Sequence, residues 1–74
     1  MITMTKAEAI ARQAAQIAHY SQQFTNVTAL VAAATTADAL EDGVEYDLVT
    51  INRHIPRGGA IEQMLGINSF ARLI

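Results

Sequence analysis

A chain of 74 residues holds one small domain, and with no cysteine it has neither a disulfide nor a thiolate-bound metal to support it. Hydrophobic residues make up 51% of the chain and charged residues only 16%, against about 25% charged in an ordinary soluble domain. So small a volume with so few charges leaves apolar surface exposed, which marks a protein contact, while the net charge of −2 speaks against a dedicated nucleic-acid binder.

Taken in chain order, Met1 to Met4 reads as a loose leader. Thr5-Lys6-Ala7-Glu8 is a capping box, with Thr5 at the helix N-terminus and Glu8 reaching back to it. Ala7, Ile10, Ala14, Ile17, Ser21 and Phe24 then recur at spacings of three and four, one face of an α-helix and nearly a heptad seam. Arg12, Gln13, Gln16 and His19 fall mostly elsewhere around it. The pattern predicts a helix over residues 5–23, roughly 28 Å long. Its apolar face serves either as core or as a dimer seam, and a domain this small covers so long a helix poorly.

Thr25-Asn26 is a turn and capping signal, followed by a second helical stripe of Val27, Leu30, Val31 and Ala34. Thr35-Thr36 can interrupt this stripe, and Glu41-Asp42-Gly43 ends it, with Gly43 suited to a left-handed position. Between Val44 and Ile55 two patterns compete. Val44, Tyr46 and Leu48 alternate as in a strand, while Val44, Leu48, Ile51 and Ile55 share a helix face. A lone strand has nothing to pair with unless it meets its copy in a dimer, so the helix is the preferred expectation. Pro56-Arg57-Gly58-Gly59 is a loop, Ala60 to Leu65 a short helix, and Gly66 a turn before a last helix carrying Phe70, Leu73 and Ile74.

The expected fold is therefore all-α: three to five helices in one domain over residues 1–74, with a long N-terminal helix and a helix-turn-helix-like C-terminal corner, as a dimer. The corner Ala60–Ile74 resembles a DNA-binding helix-turn-helix, with Leu65-Gly66-Ile67 matching the turn and Arg72 on the second helix. That resemblance implies phosphate or base contacts from Arg53, Arg57 and Arg72. The chain departs from the motif in that the second helix is too short and carries one basic residue.

Three other features bear on function. Arg53 to Gly59 supplies two arginines and two glycines for an anion, without the Gly-Lys-Ser/Thr of a phosphate-binding loop. Asp38, Glu41, Asp42, Glu45 and Asp47 form an acidic stretch without the spacing of a calcium loop. His19 and His54 have neither metal-pair spacing nor a nucleophile motif beside them.

These observations lead to an expectation of no catalysis, cofactor or metal. The expected activity is stoichiometric protein–protein binding as a regulator, adaptor or inhibitor, with Ile10, Ile17, Phe24 and Leu30 as apolar contacts and Arg53 and Arg57 as charged ones. Small size and missing chemistry also suit a virus-encoded inhibitor of a host protein. The alternative is a small DNA-binding regulator. No membrane-length apolar run and no signal peptide occur in the sequence, so the expected location is the cytoplasm.

Overall fold

The computed structural model describes residues 2–20, 26–34, 39–55 and 72–73. Its described elements are β1 (Thr3–Thr5), α1 (Lys6–Tyr20), α2 (Val27–Ala34), β2 (Glu45–Asp47) and α3 (Leu48–Arg53). The two strands pair antiparallel, with Thr3 opposite Asp47, Met4 opposite Tyr46 and Thr5 opposite Glu45. The fold is thus not all-α, and the expectation built on helical periodicity is corrected by this sheet. The partner that β2 seemed to lack is the chain's own N-terminus, read above as a loose leader. Thr-Met-Thr has the alternation of a half-buried strand, with Met4 only 1% exposed between two threonines.

Each strand runs without a loop into a helix, and a capping residue makes both transitions. At the first, the Thr5 N–H donates to Glu8 Oε1 at 3.0 Å and the Glu8 N–H donates to Thr5 Oγ1 at 3.2 Å, the reciprocal capping box. At the second, Asp47 keeps an extended backbone and its Oδ1 accepts from the Thr50 N–H at 2.7 Å. The segment Val44 to Ile55 is therefore strand and then helix, with Asp47 as the switch. Asn26 opens α2 in a similar way, its Oδ1 accepting from the Ala29 N–H at 3.4 Å.

Among the described residues the core is a cluster of Met4, Ala9, Ala14, Ile17, Val27, Val31, Leu40, Ile51, Ile55 and Leu73, with Ile10, Leu30, Tyr46 and Leu48 packed against it. The inner face of α1 is rotated from the expected one. Ala9, Gln13, Ala14 and Ile17 are buried, Ile10 is half-buried, and Ala7 is exposed. Gln13, expected mostly off that face, is instead 1% exposed, and among the described residues neither side-chain amide atom has a hydrogen-bond partner.

Before β2, Gly43 adopts φ +77°, the left-handed conformation that other residues reach only with strain. The turn is closed by the Tyr46 hydroxyl, which accepts from the Glu41 N–H at 3.0 Å. Lys6 Nζ and Asp42 Oδ1 lie 3.5 Å apart, tying this turn to the start of α1. None of the described helices is long and apolar enough to cross a membrane.

Candidate functional site

Two places among the described residues gather features that can hold a partner. The first is the outer side of α1. With Ala9, Gln13 and Ile17 turned inward, Ala7, Ala11, Ala15 and Ala18 are left exposed at successive spacings of four, four and three. Alanine keeps a helix regular and lets another helix backbone approach closely. Beside this stripe a groove of about 380 Å³ runs between α1 and the start of α2, lined by Ala11, Ala14, Ala15, Ala18, Asn26, Val27 and Thr28. Arg12 and His19 are also exposed on α1.

The second place is the C-terminal end of α3. The Arg72 guanidinium donates to the main-chain carbonyls of Asn52 and Ile55, the latter at 2.6 Å. The Asn52 carbonyl also accepts from the Ile55 N–H at 3.3 Å, and the partial negative charge of carbonyls at a helix end attracts a cation. The Asn52 carboxamide pairs with both main-chain polar groups of Leu73: Nδ2 donates to its carbonyl at 2.7 Å, and Oδ1 accepts from its N–H at 2.8 Å. An open cleft of about 590 Å³ adjoins this contact, with Asn52, Arg53, Ile55 and Arg72 on its wall.

The expected contact residues are scattered between core and surface. Ile17 is 1% exposed and belongs to the core, with half-buried Ile10 and Leu30 packed on it. Arg53 is exposed at the end of α3. Arg72 is half-buried and engaged with carbonyls rather than turned outward. Phe24, Arg57, Asp38 and most of the corner Ala60–Ile74 lie outside the described residues. Of that corner, Leu73 is buried, and the chain at 72–73 is not helical. Ile17, and Ile10 in part, are thus covered by packing within the chain.

Ala7 lies on the expected apolar face, but Ala11, Ala15 and Ala18 do not, because the sequence alone does not distinguish two apolar faces of an alanine-rich helix. Asn52 had no local signal, since its partner lies 21 residues further on.

Chemistry at the titratable groups is limited. Hydrogen bonding by the Thr5 backbone and hydroxyl holds the Glu8 carboxyl below its ordinary range. Thr50 does the same for Asp47. Both carboxylates serve as helix caps. Glu41, Asp42 and Glu45 are exposed, and among the described residues no group of three or more His, Asp or Glu side chains is placed to hold a metal.

Comparison of the chain with family models, curated proteins and solved structures returned no match.

Proposed function

We propose that this chain is a non-enzymatic binding module that engages another protein chain stoichiometrically, as a regulator, adaptor or inhibitor. The observation that carries this reading is the outer face of α1, where Ala7, Ala11, Ala15 and Ala18 stand exposed beside the groove that α1 forms with α2. A partner helix laid along that stripe buries apolar area at short interaxial distance, with Glu8, Arg12 and His19 at the margins to select its charges. A second copy is one such partner. Antiparallel pairing sets Glu8 near the other copy's His19, whereas parallel pairing stacks like charges. Exposed Ile2, Val44 and Val49, at 52%, 39% and 67%, add apolar surface near the sheet.

The DNA-binding alternative draws less support, because the Arg72 guanidinium is used on the carbonyls of Asn52 and Ile55.

The test compares the wild-type chain with Ala15→Glu, a substitution at an exposed helix position that the fold tolerates. Tagged chains are used to recover partners from the native cell with and without nuclease, and sedimentation equilibrium gives the self-association state. A near-stoichiometric protein that survives nuclease and is lost with Ala15→Glu is the expected result. Recovery of nucleic acid, with every protein partner lost after nuclease, sinks the reading, as does a partner indifferent to Ala15→Glu.

A further inference from the structure

Asp42 is the one aspartate or asparagine of the chain that a glycine follows. In an aspartyl-glycyl link the glycine nitrogen stands one five-membered ring away from the aspartate Cγ. Such an intramolecular closure needs only a free nitrogen and a reachable carboxyl group. Three features of the turn before β2 supply both. The Asp42 side chain is 92% exposed. A Cβ built on Gly43 would meet no atom within 4 Å, so nothing crowds the link. Backbone N–H groups in folded chains are mostly paired, yet among the described residues no hydrogen bond to the chain engages the Gly43 N–H. The other described sites differ. Asp47 precedes Leu48, and its carboxylate is taken by the Thr50 N–H. Asn26 precedes the β-branched Val27 and caps α2, and the Asn52 carboxamide is held by Leu73.

We infer that Asp42 is a site of spontaneous isomerisation to isoaspartate, and that the product loosens the turn leading into β2. The Gly43 nitrogen attacks Asp42 Cγ. The N–Cγ bond forms, and the carboxyl hydroxyl leaves with the nitrogen's proton as one water, giving a cyclic succinimide. Water then adds to either ring carbonyl. Opening at Cγ restores aspartate. Opening at the main-chain carbonyl of Asp42 leaves Gly43 joined to Cγ, so the main chain runs through Cβ and Cγ and the free carboxylate sits on Cα. One water leaves and one returns, so the change needs no oxidant and no enzyme. The inserted methylene falls within the contacts that shape this turn. The bond from the Glu41 N–H to the Tyr46 hydroxyl, at 3.0 Å, closes across it. The carboxylate now 3.5 Å from Lys6 Nζ moves to a different carbon. The pairing of Glu45 with Thr5 starts just beyond. This site is separate from the outer face of α1 and does not rest on it.

The test ages the full-length chain in warm, mildly acidic buffer beside a free peptide of residues 40–46. Electron-transfer fragmentation, which tells isoaspartate from aspartate by cleavage at its Cα–Cβ bond, then reads every aspartate. The expected result is isoaspartate at residue 42, severalfold above that at residues 38 and 47, with a minor species lighter by one water across residues 42–43. Its rate of formation in the chain should come within severalfold of that in the peptide. Asp42→Glu keeps a negative charge at this exposed position, but it must close a less favoured six-membered ring and should not isomerise. No isoaspartate at residue 42, no excess over residues 38 and 47, or far slower formation in the chain than in the peptide overturns the site. The isoaspartate form, separated by ion exchange, should unfold at lower urea than the unaged chain, while aged Asp42→Glu keeps its midpoint. An unchanged midpoint in the isoaspartate form, or an equal fall in aged Asp42→Glu, overturns the loosening of the turn.

Discussion

The two strand-to-helix units of this chain share one design and differ in what completes it. In β1–α1 and in β2–α3 the last strand residue, Thr5 or Asp47, caps the helix that follows, and the strands pair with each other. The first unit continues for 15 residues and the second for six. A 15-residue alanine-rich helix approaches the length at which propensity alone sustains it, whereas six residues stand far below. α3 therefore exists through what surrounds it: the Asp47 cap at one end, Arg72 on its carbonyls at the other, and Ile51 and Ile55 in the core. The long helix leaves Ala7, Ala11, Ala15 and Ala18 exposed on its outer face, and the short one is held at its two ends and through Ile51 while Val49 stays exposed.

The sharpest way to break this comparison is to remove the core anchor of the short unit. Ile51 is fully buried, so Ile51→Ala is expected to cost about 2–5 kcal/mol, most of what so small a domain has. Val49, on the same helix and 67% exposed, is expected to change stability by no more than about 0.5 kcal/mol when replaced by alanine. Urea denaturation of the two variants checks both values. Equal effects would mean that α3 is not anchored through Ile51.

The long unit contains the opposite case, a residue whose removal helps. Gln13 buries a carboxamide with neither atom paired among the described residues. Leaving such a group unsatisfied costs about 1–3 kcal/mol, so Gln13→Leu is expected to raise stability by a similar amount in the same denaturation experiment. A loss of stability would show that the amide is paired in solution.

How far these features were readable from the residues follows the range of the interactions. The capping box of Thr5 and Glu8, the cap at Asn26 and the left-handed Gly43 involve groups at most three residues apart, and each was readable locally. The pairing of Thr3–Thr5 with Glu45–Asp47 joins segments some forty residues apart. Neither strand exceeds three residues, too few for periodicity to register. Asp47 carried a readable signal, an acidic residue just before an apolar helical stripe, but the helix pattern was extended through it to Val44. The rotation of the α1 face has a different cause. The three-and-four spacing leaves Gln13 off the apolar stripe, and alanines at 7, 11, 15 and 18 are as apolar as those at 9 and 14. The contact of Asn52 with Leu73 had no local trace at all.

The two caps separate the units by smaller effects. Thr5→Ala removes one acceptor from the start of α1 and is expected to cost about 1 kcal/mol. Asp47→Ala acts in the same direction on α3, and its consequence should be concentrated there. Hydrogen exchange at the α3 amides should accelerate while the middle of α1 stays protected. Uniform acceleration along both helices would mean that the two units open together and that the short one has no separate weakness.

The smallest effect is the dependence of these caps on pH, and its sign is determined by the direction of the shifts. Glu8 and Asp47 both hold their carboxyls below the ordinary range because Thr5 and Thr50 hydrogen-bond the charged form. The unfolded chain then binds protons more readily than the folded one, so stability rises with pH across the titration. The contribution is complete above the unfolded values, about 4.3 for glutamate and about 3.9 for aspartate. It is lost as pH falls through the lower folded values. Urea midpoints should therefore be level from neutral pH to about pH 5 and decline below that. Glu8→Gln removes the titrating group and should flatten the part of the decline due to Glu8 while leaving the part due to Asp47, which makes the pH profile a way to weigh one cap against the other. A decline unchanged in Glu8→Gln would assign the acid sensitivity to Asp47 rather than to Glu8.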